Sequence, residues 1–200
     1  MLNVAVFIYD EVEVLDFAGP FEVFGTASRL VRRDRPPGVA PFRVLTVGER
    51  RITVRARGGL TVLPEFGFGA HPRPDVLLIS GGVVEPELRK PAVETWLRAQ
   101  AAGAQVVASV CTGAFLLAKI GLLDGLRATT HWEDIADLRA AAPRTRIEEN
   151  VRWIDEGRVV TSAGISAGID MSLHLVERLA GRELAERTAR QMDYAVGAAE

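Results

Sequence analysis

Short β-prone runs alternate with helical stretches through most of this sequence, and that alternation constrains the fold more than any other feature. Leu2 to Tyr9 is an apolar run of the kind that forms a buried parallel strand. Phe42–Val47, Asp75–Ser80 and Ala104–Ser109 read as further strands. After the first run, Leu15, Phe17, Phe21, Val23 and Phe24 fall at helical spacing, with Gly19-Pro20 predicting a break or a fresh helix start near Pro20. "RRDRPPG", from Arg32 to Gly38, reads as a polar loop. "PAVETWLRAQAAG" reads as a helix with Pro91 near its start and Gly103 past its end. Thr112 to Leu123 is apolar nearly all round, so that helix should be buried on more than one side. Two hairpins are expected: Ile52–Val54 with Leu60–Leu63 around Gly58-Gly59, and Val151–Ile154 with Arg158–Thr161 around Asp155-Glu156-Gly157. Two amphipathic helices close the chain, the last carrying Leu184, Thr188, Met192 and Ala195 on one face. The pattern predicts an α/β fold with a mainly parallel sheet covered by helices on both faces.

Ligands of such sheets bind beyond the carboxyl ends of the strands. Three segments lie there: the residues around Asp16, Ser80-Gly81-Gly82, and Ser109 to Gly113. The strongest signal is "AQVVASVCTGAFLLAKIGLL", in which an apolar strand runs directly into Cys111 and a helix starts at once. Ser109 and Gly113 flank the cysteine at two residues on either side, as a sharp strand–nucleophile–helix elbow requires. A helix N-terminus favours thiolate over thiol and lowers a cysteine pKa. The amides of Thr112 and Gly113 would face a developing anion.

Asp16 is the only charge between Val14 and Phe21. Two readings are open: a buried carboxyl held protonated as a proton donor to the site, or an N-cap of the helix that follows. The Gly81-Gly82 pair permits close approach of a ligand, with the amides of Gly82 and Val83 completing an oxyanion or ligand-binding nest; the alternative is an ordinary tight turn. His131, after a short β-prone run, is a candidate acid/base, or else a histidine held by local hydrogen bonds. His71 and His174 receive no role, and three scattered histidines make no metal site. Asp170, entering an apolar helix after "TSAGIS", reads as the anchor of a local network.

The bulk numbers exclude whole classes. A chain of 200 residues fits one domain, 1–200, with 48% hydrophobic and 25% charged residues, close to the globular average. A net charge of −2 supplies no basic field for nucleic acid or anionic membrane. A single cysteine excludes an internal disulfide and any multi-thiolate metal site. The start "MLNVAVFIYD" lacks the pattern of a signal peptide, and no run reaches the roughly 18 apolar residues of a membrane span. A cytoplasmic location, with Cys111 free, is the expectation.

Two stretches, "VCTGAFLLAKIGLLDGLRATTHW" and "VVTSAGISAGIDMSLHLVE", resemble the ThiJ/PfpI superfamily, which is related to class I glutamine amidotransferase domains. The resemblance runs from "VAVFIYDEVEVLDFAGPFEVF" to the final helices, nearly the whole chain. Within the superfamily the chain looks most like the isonitrile hydratase branch and the ligand-binding halves of AraC-type regulators. The resemblance implies a flavodoxin-like three-layer sandwich with a nucleophile elbow, no cofactor, and a homodimer. It matches Cys111 to the nucleophile, Asp16 to the acidic residue that contacts it, Thr112 to the residue after the nucleophile in isonitrile hydratases, and His131 to a distal histidine that partners the cysteine in some members. PfpI-type proteases carry histidine directly after the cysteine, so Thr112 counts against protease activity. Many relatives have another glycine soon after the Gly-Gly pair, where this chain has Val83-Val84, so the pocket entrance differs.

Three functions follow as expectations. The first is hydration of an isonitrile to an N-substituted formamide, with Cys111 attacking, Asp16 delivering a proton and Thr112 orienting the intermediate or the water. The second is glyoxalase- or deglycase-like chemistry on an α-oxoaldehyde, leaning on His131. The third is small-ligand sensing without catalysis. In all three the partner is a small molecule. No basic recognition helix follows the domain, so direct nucleic-acid binding is not expected.

Overall fold

The computed structural model of the chain describes residues 1–34 and 40–195. The first half runs β1 (Leu2–Phe7), α1 (Val14–Asp34), β2 (Phe42–Gly48), β3 (Val54–Arg55), β4 (Thr61–Val62), β5 (Phe66–Gly67), β6 (Val76–Ile79), α2 (Glu85–Leu88) and α3 (Pro91–Gly103). The second half runs β7 (Val106–Val110), α4 (Gly113–Lys119), β8 (Arg127–Ala128), α5 (Ile135–Ala141), β9 (Arg146–Ile147), β10 (Trp153–Glu156), β11 (Val159–Ser162), α6 (Ala167–Ala180) and α7 (Arg182–Gln191).

Seven strands form the central sheet in the order β10-β11-β7-β6-β1-β2-β5. Every neighbouring pair is parallel except β10 with β11. Val4–Phe7, Val76–Ile79 and Val106–Val110 are buried throughout, which is why these strands read as continuous apolar runs rather than as alternating ones. Helices α1, α6 and α7 pack together over one face of the sheet, and α2 to α5 occupy the other. The result is a three-layer, flavodoxin-like α/β sandwich. From β1 the chain passes to β2 on one side and then crosses to β6 on the other. The carboxyl ends of β1 and β6 therefore open a crevice between them, where ligands of such sheets bind. Among the described residues no helix is long and apolar enough to cross a membrane.

The structure corrects several local expectations. Residues Val14–Asp34 form one helix through Pro20. Pro20 has no N–H to offer the carbonyl of Asp16, but that bond lies in the first turns, and burial of Phe17, Val23, Phe24 and Ala27 against the sheet holds the helix together across the gap. Arg32, Arg33 and Asp34 belong to its last turn; the rest of the polar stretch lies outside the described residues. The helix after the cysteine is shorter than its apolar composition implies and ends at Lys119, because Gly121 turns the chain at φ 75°. The second hairpin turns tighter, pairing Glu156 with Val159 so that Asp155 and Glu156 are strand residues. On the closing helix Leu184 and Thr188 are buried, whereas Met192 and Ala195 follow its end at Gln191, where Asp193 takes φ 50°. Several short elements had no reading in the sequence: the two-residue strands β5 and β9 and the helices α2 and α5.

Candidate active site

Cys111 sits directly after β7 at φ 56°, a left-handed conformation in which a residue other than glycine is uncommon. Three hydrogen bonds fix the turn. The Cys111 N–H donates to the Ser162 carbonyl at 3.2 Å, the Thr130 hydroxyl donates to the Cys111 carbonyl at 2.8 Å, and the Ala114 N–H donates to the same carbonyl at 3.3 Å. Gly113 opens α4 against β6, where a Cβ would overlap the Ile79 carbonyl oxygen; its size permits the close approach of helix and strand. The sequence elbow is therefore an elbow in structure.

Asp16 lies in the first turn of α1 and is fully buried. It is not the helix cap: the preceding Glu13 fills that place, its own Oε1 accepting the Val14 N–H at 3.2 Å. Asp16 Oδ2 accepts the Gly81 N–H at 3.1 Å, while Oδ1 is buried and closes no hydrogen bond. Gly81 is wedged between Asp16 and Cys111: a Cβ there would lie 2.7 Å from Asp16 Oδ2, 2.8 Å from Cys111 Cβ and 2.8 Å from Thr112 N. Burial raises the Asp16 pKa from the ordinary 3.8 to about 7, and Glu13 adds to this, against the lowering effect of the Gly81 N–H, the Cys111 thiol and the Ile165 N–H.

The expected lowering of the Cys111 pKa by its helix is corrected. Burial first, then the charges of Asp16 and Asp134, push the thiol up to about 12, and the Thr112 N–H and hydroxyl only partly oppose them. The resting group is a thiol beside a carboxyl that titrates near neutrality. A carboxyl and a thiol so placed can exchange a proton.

The nest expected from Gly82 and Val83 is also corrected. The Gly82 N–H donates to Thr112 Oγ1 at 2.9 Å, and the Val83 N–H donates to the Glu11 carbonyl at 3.1 Å, so both amides are already engaged. The Thr112 hydroxyl donates in turn to the Gly82 carbonyl at 2.8 Å. The glycine turn thus acts as a brace. Gly82, at φ 133°, pairs with Val12 and fastens the β6 turn to the loop after β1, and Thr112 fastens it to the elbow. The Thr112 N–H remains directed to the sulfur.

His131 stands beside this group without joining it: among the described residues no hydrogen bond links it to Cys111. Its Nδ1 lies 3.3 Å from Asp134 and 3.7 Å from Glu133, and its ring packs so tightly on Gly164 that a Cβ there would overlap it. His71 accepts the Trp96 indole N–H at Nε2 (2.8 Å) and lies at Nδ1 against the Pro72 carbonyl (2.9 Å), while His174 pairs with Asp155 at 2.7 Å. Asp170, nearly fully buried, pairs with Arg152 and anchors the β11–α6 turn as read. Among the described residues no group of three His, Cys, Asp or Glu side chains is placed to hold a metal.

Sequence reasoning missed three contributors. Ile165 holds φ 54°, strained for a β-branched residue, and its N–H reaches toward Asp16. Asp134 adds its charge at the sulfur. The Tyr9 hydroxyl donates to the Ser80 carbonyl at 3.0 Å, steadying the turn that presents Gly81. A groove of about 400 Å³ opens beside the elbow between Thr130, Trp132, Val151 and Gly164. A cavity of about 580 Å³ lies at the opposite end of the sheet, near Met1, Pro41 and Leu184, remote from the elbow.

Fold and elbow together define a flavodoxin-like α/β protein with a buried thiol and carboxyl at the carboxyl end of its sheet. The model of the DJ-1/PfpI family matches residues 2–178, and the chain belongs to that family. It is 33% identical over 197 residues to the isonitrile hydratase of Pseudomonas putida, covering 97% of this chain and 79% of that one. It is 31% identical over 193 residues to the HTH-type transcriptional regulator GbdR of Pseudomonas aeruginosa, but spans only 50% of that relative's length. The crystal structure of a ThiJ/PfpI family protein from Pseudomonas syringae superposes with a TM-score of 0.85 at 26% identity, covering 98% of this chain and 76% of that one.

Proposed function

We propose that this protein is an isonitrile hydratase-like enzyme in which Cys111 is the nucleophile and Asp16 the proton carrier. The observation that carries this reading is the buried Asp16 carboxyl set against the Cys111 thiol across Gly81, with a pKa of about 7. An isonitrile carbon accepts a nucleophile and a proton, which is what this pair holds. Asp16 takes the thiol proton as sulfur bonds to the carbon and then delivers it to that carbon, leaving a thioimidate, R–N=CH–S–Cys111. Water adds to the thioimidate carbon; the C–S bond breaks, the sulfur regains its proton, and R–NH–CHO departs. The Thr112 N–H faces the sulfur through these steps. The likeness to the Pseudomonas putida isonitrile hydratase over nearly the whole chain supports the same reading. Turnover of a simple alkyl isonitrile to the N-alkylformamide, lost in both Cys111→Ala and Asp16→Asn with the fold intact, is the expected result. Full activity in either variant, or no turnover by reduced protein, would overturn it.

The similarity to the regulator supports a second reading, a ligand-sensing domain without turnover. Saturable binding of a small molecule by Cys111→Ala, with no product from the native chain, would favour it. Aldehyde chemistry draws less support, because His131 is engaged with Asp134 rather than with Cys111. The exposed Leu15 and Phe21 on α1 favour a homodimer, which light scattering would test.

A further inference from the structure

Negative side chains converge on the Cys111 site, and the guanidinium groups of the neighbouring loops are tied up. Asp16 is in the site itself. Glu13 adds its charge at Asp16, and its N–H donates to the carbonyl of Gly81, which abuts Cys111, at 2.9 Å. Asp134 is held by His131, which directly follows the threonine whose hydroxyl binds the Cys111 carbonyl. Arg57 is paired with Glu13 at 3.6 Å, and Arg152 with the buried Asp170. The sulfur feels both Asp16 and Asp134 as negative charges. The exposed residues next to these groups are mixed: Val83, Trp132 and Ile165 are apolar, while the exposed Glu133, 3.7 Å from His131 Nδ1, adds a further carboxylate.

Resting on the hydratase reading, we propose that the site discriminates by charge: it takes isonitriles whose substituent is neutral or cationic and rejects those bearing a carboxylate or another anion. An anionic substituent would approach ionised Asp16 and Asp134 in a partly desolvated crevice, where like-charge repulsion is not fully screened. Trp132 and Val151, which line the groove beside the elbow, offer an uncharged substituent apolar surface in compensation. Repulsion of this kind selects against a substrate as effectively as contacts select for one.

Two probe pairs test the proposal and separate it from the reaction assignment. The first is methyl isocyanoacetate against isocyanoacetate, compared by kcat/KM at pH 8.5, where Asp16 is ionised. The second is iodoacetamide against iodoacetate, compared by the rate of alkylation; Cys111 is the only cysteine, so the label reports one sulfur. The expected result is at least a tenfold preference for the neutral member of each pair, the alkylation ratio being taken relative to the same ratio on 2-mercaptoethanol. The preference should shrink severalfold in Asp134→Asn and Glu13→Gln and in high salt. An alkylation ratio equal to that of the free thiol would overturn the proposal, as would a folded protein closed to iodoacetamide altogether. A strong charge preference in alkylation, with neither isonitrile hydrated, would leave the charge selection standing and remove the hydratase reading.

Discussion

At the scale of single residues, the site depends on the size of Gly81 and the titration of Asp16. Gly81→Ala would drive a methyl group into Asp16, Cys111 and the Thr112 amide together, and the one side-chain end it meets, Asp16 Oδ2, is fully buried and bound to the Gly81 N–H. We expect it to lose turnover by at least a hundredfold and to lower stability by roughly 2 kcal/mol; urea unfolding alongside formamide assay would check both. In the proposed reaction Asp16 acts in its ionised form as the acceptor of the thiol proton, so kcat/KM should rise with pH through about 7 and then hold a plateau, the thiol's own ionisation lying near 12. An alkaline fall below pH 9 would contradict that assignment. The sequence made Cys111 legible because an elbow demands small residues around the nucleophile, and Ser109 and Gly113 supply them. It left Asp16 ambiguous because a buried carboxyl and a helix cap use the same residue type; only the placement of Glu13 as the cap separates them. The thiol's pKa was not legible at all, since burial and Asp16, which outweigh the helix amides, are properties of packing.

At the scale of elements, the central strands were legible as apolar runs, though not their order in the sheet, whereas helix ends were misjudged wherever a single left-handed residue decides them. Gly121 and Asp193 stop helices that composition alone would extend. The loop between β11 and α6 is the element most exposed to mutation. It carries the strained Ile165 and is fastened by Arg152, which reaches Asp170 and, at 3.3 Å, the Ser166 hydroxyl. Arg152→Ala removes the guanidinium partner of a buried carboxylate. A loss of roughly 2–3 kcal/mol is expected, below the full value for a buried pair because the arginine is one-third exposed. Since this loop also presents the Ile165 N–H to Asp16, the acid limb of the pH profile should move upward in the same variant. A change in stability with an unmoved limb would mean that the loop is structural only. His131→Ala should keep isonitrile turnover within about fivefold, as no hydrogen bond ties the ring to the sulfur; a hundredfold loss would restore the histidine to the chemistry.

At the scale of the whole molecule, the buried Asp16 couples the site to folding. Its folded pKa of about 7 lies above the ordinary 3.8, so the folded state binds the proton more tightly than the unfolded chain. The corresponding stability is fully present below about pH 4 and is lost as pH rises through about 7, amounting to about 4 kcal/mol at most. Asp16→Asn removes that titration. The variant should therefore be more stable than the native chain at pH 8 by a few kcal/mol, with the gain fading by pH 4.5, as urea midpoints at the two pH values would show. A protein that gives up stability to keep an ionisable group in its interior is the usual signature of a functional site. The architecture was legible from the alternation of strands and helices; the crevice between β1 and β6 was legible only as a rule about such sheets, not as a set of distances. The Cys111 amide is held by Ser162, and the elbow is walled by Gly164 against His131 and by Gly168 against Val110, all supplied by the last fifth of the chain. During synthesis the thiol accordingly emerges from the ribosome some fifty residues before its clamp does, and nascent chains halted near residue 150 should react with maleimide as fast as a free cysteine, whereas finished chains should not.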